Sequence, residues 1–431
     1  MKKYLYILGF AGVVLFTACS TSDDLVAENP IETPPAEQTK EQAIIVEASQ
    51  DSEVPIILGT GQSRGYTRAP IDPTGVEDRY GYFKTEDGRY LGVFCLATGT
   101  QDGANVPTSL DQKWKNSVDN DMVVRLSNVP AKVAIDGNVT FMDPDDLSAV
   151  TPIETTKHYY YPVANWMKYN FYAYYPYDDG STLSWGSNQV LVKYYEIDGS
   201  QDVIWGMSYR ENPTHEASDA DYADPYCAKY IRWRESHLDG KTIDYWYPKL
   251  KLNHKLVQFK FSIKKADGVT GTVKVTDMDI SNAVHKIQLY VADKDENPTT
   301  TKNGKLDYSS TTGTLQTKSL RIKENGKVNS NRFDGTDAKA LPLTTAAQEV
   351  GYIMLPSPDI TGDPSFKYHL YLNFDYNGDH NMADIVMNDT FEEGKKYDIT
   401  VNVKSPMEIS LKAVLQEWDD SPAAITYDSD N

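Results

Sequence analysis

The chain has 431 residues, more than one ordinary domain holds, and 42 Lys and Arg against 62 Asp and Glu give a net charge of −20. That charge repels nucleic-acid phosphates, so no nucleic-acid partner is expected. A hydrophobic fraction of 40% with 30 Tyr excludes a largely disordered chain, and three Cys exclude a disulfide-dense scaffold or a multi-cysteine zinc module.

Met1-Lys2-Lys3 supplies a positive start, and Tyr4 to Leu15 is an uncharged apolar run. Phe16-Thr17-Ala18 then leads directly into Cys19. This reads as a secretory signal peptide over 1–18, too short to span a membrane. A Cys placed right after Thr17-Ala18 resembles a bacterial lipobox, in which the thiol takes lipid and becomes the first mature residue. Cys19 is therefore the expected lipidation site, and the mature chain is anchored rather than inserted. Residues 19–42, poor in apolar side chains and rich in Pro, Glu, Thr and Ala, read as a tether. Of the remaining cysteines, Cys95 lies in an apolar strand-like run, where a buried free thiol and a bridge to Cys227 stay equally open.

Two short apolar pieces follow, Ala43-Ile-Ile-Val46 and Val54-Pro-Ile-Ile-Leu58. Gly59 to Gly65 lacks the Lys of a phosphate-binding loop and reads as a flexible linker. From there strand follows strand: Tyr90–Leu96, Met122–Leu126, Asn138–Met142 and Tyr169–Tyr175 are β-branched or aromatic runs punctuated by turn residues. Leu256–Ile263 alternates with period two, placing Val257, Phe259, Phe261 and Ile263 on one face. Thr272–Thr276, Lys286–Tyr290, Tyr368–Phe374 and Tyr397–Val403 continue the style. Leu341 to Val350 offers at most one short helix. One-sided alternation predicts antiparallel sheets, and two β-sandwich domains are expected, over 69–247 and 248–431.

Catalytic patterns are absent from the sequence. The seven His occur singly, with no His-Glu-x-x-His, no Gly-x-Ser-x-Gly and no cofactor-binding glycine loop, so neither catalytic residues nor a cofactor is expected. Asp375, Asn377 and Asp379 alternate as in the opening of a calcium loop. His380 and Val386, however, stand where such a loop needs Gly and Glu. The segment therefore reads as a hairpin turning at Asn377-Gly378, with no metal. Tyr245-Trp246-Tyr247 and Trp233 are suited either to filling a core or to stacking on sugar rings.

The lipobox at Cys19 begins a series that continues with Tyr66-Thr-Arg-Ala-Pro70, Tyr169–Pro176, Gln201-Asp-Val-Ile-Trp-Gly206 and Leu252-Asn-His-Lys-Leu-Val-Gln-Phe259. Phe391–Thr400 and Ile409–Trp418 complete it. Taken in this order, the series resembles the fimbrillin family of the Bacteroidetes, subunits of lipoprotein-derived pili. The resemblance implies two tandem transthyretin-like β-sandwiches and an outer-membrane lipoprotein precursor cut by an arginine-specific protease. It also implies that the precursor loses a first strand, whose place a neighbouring subunit's strand fills. Carried onto this chain, residues 43–68 hold the removable strand (Ala43 to Leu58) and its linker, with Arg68 or Arg64 as the cut. Ile409, Leu411, Ala413 and Leu415 are the donor-strand candidates. The partners implied are other pilus subunits and, through lipid, the outer membrane, in a shaft or tip subunit with an adhesive role. The alternative is a surface lipoprotein that binds glycan or host protein through its aromatic residues.

Overall fold

A computed structural model describes residues 54–60, 89–98, 113–114, 122–134, 137–145, 147, 159–162, 168–200, 202–209, 226, 228, 248–295, 297, 299–308, 314–324, 327–333, 335, 339–405, 408–416 and 425–426. Strands dominate them. The first nine are β1 (Leu58–Thr60), β2 (Leu91–Ala97), β3 (Val124–Val133), β4 (Asn138–Phe141), β5 (Tyr169–Tyr175), β6 (Leu183–Trp185), β7 (Gln189–Glu196), β8 (Ile204–Tyr209) and β9 (Lys249–His254). Next come β10 (Val257–Lys265), β11 (Val273–Asp293), β12 (Leu306–Asp307), β13 (Thr314–Ser319), β14 (Arg321–Glu324), β15 (Lys327–Asn331), β16 (Leu341–Pro342) and β17 (Gln348–Leu355). A 3₁₀ turn (Pro358–Thr361) precedes β18 (His369–Tyr376), β19 (Asp379–Val386), β20 (Lys396–Ser405), β21 (Glu408–Gln416) and β22 (Ile425–Thr426). The all-β expectation holds.

Leu341 to Val350, offered above as a short helix, instead contains β16 and the start of β17. Leu341 and Pro342 pair with β11 and Gln348 onward with β10, and between them Thr344 is held in a turn by its own contacts. Its N–H donates to the Gln348 side chain (3.0 Å), and its hydroxyl donates to the Ala346 carbonyl (3.1 Å).

The strands form three sheets. A closed barrel runs β1-β4-β3-β2-β5-β8-β9; a seven-stranded sheet runs β15-β14-β17-β10-β20-β21-β22; the third follows β19-β18-β11-β7-β6. In β10 the alternation works as the sequence implies, with Val257, Phe259, Phe261 and Ile263 all buried. Phe259 packs edge-on against Phe391, with ring centroids 4.8 Å apart. In contrast, β2 is buried at every position and β5 at all but one, because both faces of these barrel strands are covered. Trp114 helps to cover them, donating its indole N–H to the Ala97 carbonyl (2.8 Å) and meeting Tyr172 edge-on.

Sheet pairing crosses residue 247. β9 lies just beyond that position, yet pairs with β8 and β1. β11 pairs antiparallel with β18 through Val273–Ser281 and with β7 through Lys286–Asp293. Two of the quoted motifs also meet here. His254 at the end of β9 contacts the carboxylate of Asp202 through Nδ1, and both side chains are almost wholly buried. Next to them, β8 and β9 approach so closely that a Cβ on Gly206 would stand 2.3 Å from the Lys251 carbonyl oxygen.

Candidate functional site

The barrel owes its closure to β1. Leu58 and Gly59 pair antiparallel with Val139 and Asn138 of β4, while Gly59 and Thr60 pair parallel with Lys249 and Leu250 of β9. Hydrogen bonds hold both sides: the N–H of Gly59 donates to the Pro248 carbonyl (3.1 Å), and the N–H of Thr60 to the Gly137 carbonyl (2.8 Å). The residues ahead of β1 are tied down as well. Ile56 N–H donates to the Tyr159 carbonyl and Tyr161 N–H to the Val54 carbonyl, both at 2.8 Å. Arg125 fixes the far side of that contact, its guanidinium donating to the Tyr160 carbonyl at 2.6 and 2.9 Å.

The side chains of this segment alternate. Val54, Ile56, Leu58 and Thr60 are buried, while Pro55, Ile57 and Gly59 are half-buried. β1 thus fills a slot between β4 and β9 with Leu58, and the residues ahead of it add Val54 and Ile56 beside Tyr159–Tyr161, three buried apolar side chains in all. By area, they contribute roughly 5–9 kcal/mol at most.

At the other end of the chain, β21 pairs antiparallel with β20 along its whole length, Ile409 opposite Val403 and Leu415 opposite Tyr397. Ile409, Leu411 and Leu415 are only half-buried, and Ala413 is buried. A cleft of about 330 Å³ opens beside the strand, lined in part by Asp389, Glu392, Tyr397, Ala413 and Leu415. The four candidate donor residues thus share one face of a strand packed in its own sheet.

Among the other sequence expectations, Asn377 and Gly378 form the two-residue turn between β18 and β19, with positive φ of 53° and 94° as a type I′ turn needs. Cys95 is buried with a free thiol, and burial pushes its pKa well above the ordinary value, outweighing the opposite pull of Arg125. Cys19, Arg64, Arg68, Cys227, Trp233, Tyr245, Trp246, Tyr247 and the part of the removable strand before Val54 lie outside the described residues. Sequence reasoning named the segment that fills the slot but not its walls. Asn138–Met142 reads as a strand; the signal that could have found β9 is the alternation of Lys249-Leu-Lys-Leu-Asn-His254, in which Leu250, Leu252 and His254 are buried.

No protein-family model and no curated protein matches the chain. Among solved structures it is similar to a candidate cell adhesion protein from Bacteroides uniformis, at 15% identity and a TM-score of 0.41, covering 86% of this chain and 100% of that one. It is also similar to a fimbrial protein from Bacteroides vulgatus, at 12% identity and a TM-score of 0.37, covering 85% and 100%. A fimbrial anchor protein from Porphyromonas gingivalis matches at 10% identity and a TM-score of 0.28, covering 85% and 98%. All three TM-scores lie under 0.5, so the role has to be read from the chain's own residues.

Proposed function

We propose that this protein is a fimbrillin-type structural subunit of a cell-surface pilus, exported as an outer-membrane lipoprotein on Cys19 and assembled by strand exchange. On this reading, 69–247 and 248–431 correspond to two transthyretin-like domains, and the partners are other subunits of the same filament. The observation that carries it is β1. The first described strand, three residues long, closes the barrel, and both candidate cut sites lie just beyond it, four and eight residues after Thr60. Cleavage at Arg64 or Arg68 separates β1 covalently from the body, and its departure uncovers edge groups of β4 and β9 together with the pockets of Val54, Ile56, Leu58 and Thr60. An extended strand supplies the missing main-chain hydrogen bonds, and its alternate apolar side chains refill the pockets. β21 has the matching spacing, with Ile409, Leu411, Ala413 and Leu415 at every second position. Until the cut, the precursor's own strand keeps that edge from unplanned pairing.

The test is limited arginine-specific proteolysis of the precursor, followed by N-terminal sequencing and sizing. The expected result is a ladder of oligomers beginning at Ala69 or Gly65; a cut after Arg68 leaves 431 − 68 = 363 residues. A cleaved chain that sheds β1 and stays monomeric overturns the reading.

A further inference from the structure

The outer edge of β19 forms a self-complementary surface. Among the described residues β19 ends its sheet, and it pairs with β18 over eight consecutive residues without a register shift. Its sequence, Asp379-His-Asn-Met-Ala-Asp-Ile-Val386, contains no Lys and no Pro, its ladder has no bulge, and its only charged side chains are Asp379 and Asp384. Met387 donates its N–H to the Tyr368 carbonyl (2.9 Å), so in an antiparallel ladder the odd-numbered residues of β19 face β18. The N–H and C=O groups of His380, Met382, Asp384 and Val386 therefore point away from the sheet.

The side chains of those same four residues share the exposed face, while Ala383 and Ile385 on the other face pack against the core. Among the described residues only three large apolar side chains are exposed. Two of them stand here: Met382 at 68% and Val386 at 40%.

We propose that β19 pairs antiparallel with β19 of a second copy of this chain, about a two-fold axis through Met382. The sequence around Met382 selects this register. His380 and Asp384 lie two residues to either side, so the axis sets each His380 opposite the other copy's Asp384, and Met382 meets its own mate. All three positions have outward backbone groups, so the same register forms the hydrogen-bonded pairs. Within each chain His380 Nδ1 faces Asp375 (3.4 Å), and His369 Nδ1 faces Asp384 (2.8 Å). Pairing thus joins Asp375, His380, the mate's Asp384 and the mate's His369 into one row of alternating donors and acceptors. The partner is a second copy because opposite groups placed symmetrically about an apolar centre suit a two-fold mate. This contact is independent of strand exchange, and the uncut precursor, with β1 in place, is the form in which to test it.

Sedimentation of that precursor over a concentration series is expected to show a reversible monomer–dimer equilibrium. Met382→Lys, which sets two ammonium groups face to face, is expected to weaken it at least tenfold. Met382→Pro, which removes the outward N–H on which the pairing depends, is expected to do the same, with the melting temperature of each variant unchanged at concentrations where the chain is monomeric. A thiol crosslinker spanning less than about 10 Å is expected to join Met382→Cys above the background of the unsubstituted chain. It should leave Val386→Cys unjoined, because the two copies of that position stand roughly 27 Å apart along the strands. A precursor monomeric at every concentration overturns the proposal. So does association that Met382→Lys leaves unchanged, or equal crosslinking of the two cysteine variants.

Discussion

β1 and β21 carry the same kind of alternating apolar pattern, yet the protein holds them differently. β1 is three residues long, but it has neighbours on both sides and buries the side chains that face inward. β21 is three times longer; its full-length partner is β20, β22 adds two further pairs, and three of its four candidate donor side chains are half-buried beside a cleft. Burial rather than length decides how firmly a strand is kept. On the proposed strand exchange, the segment to be cut has to be firm beforehand, whereas the one to be donated has to be detachable.

The harshest way to break this comparison is charge. Ile56→Asp places a carboxylate at a buried position just ahead of β1 and is expected to destabilise the precursor by about 4 kcal/mol or more, while Leu411→Asp on half-buried β21 leaves it folded. Denaturant unfolding of both variants checks this; equal losses would erase the distinction. A milder version truncates rather than charges. Leu58→Ala is expected to cost about 2–4 kcal/mol and Leu411→Ala about 1 kcal/mol, read as a difference in unfolding midpoint at constant slope. The smallest effect sharpens the comparison without mutating either strand. Cys95 lies in β2 of the barrel, and its burial-raised pKa leaves little thiolate at neutral pH. Alkylation of Cys95, followed by peptide mass, is expected to be slow in the precursor. It should become several-fold faster once β1 is cut away and lost, and Leu411→Ala should leave it unchanged.

What could be read from the residues was whatever depends on near neighbours. The alternation of Val257, Phe259, Phe261 and Ile263 named a buried face, and Asn377-Gly378 named a turn. The long strand β11 was harder. It was legible only as two pieces, Thr272–Thr276 and Lys286–Tyr290, because Asp277, Asp279, Ser281 and Asn282 interrupt its apolar pattern. Asn282 takes a positive φ of 55°, and the pairing with β13 shifts register across it and again between Val284 and Lys286. β1 was expected to stop at Leu58, since Gly59 and Thr60 look like linker; the ladder carries both. The slot itself rests on contacts between residues nearly two hundred positions apart, and no local pattern encodes which strands will flank a segment. The same holds for Asp202 and His254, which sat in two separate motifs until β8 and β9 brought them together.

β11 also has a mechanical consequence. The ladders to β7 and to β18 are made by one uninterrupted backbone of 21 residues. Tension entering through β7 and leaving through β18 travels along covalent bonds instead of across a face of packed side chains. A pull of β7 against β18 along the strand axis therefore loads the hydrogen bonds of both ladders in shear.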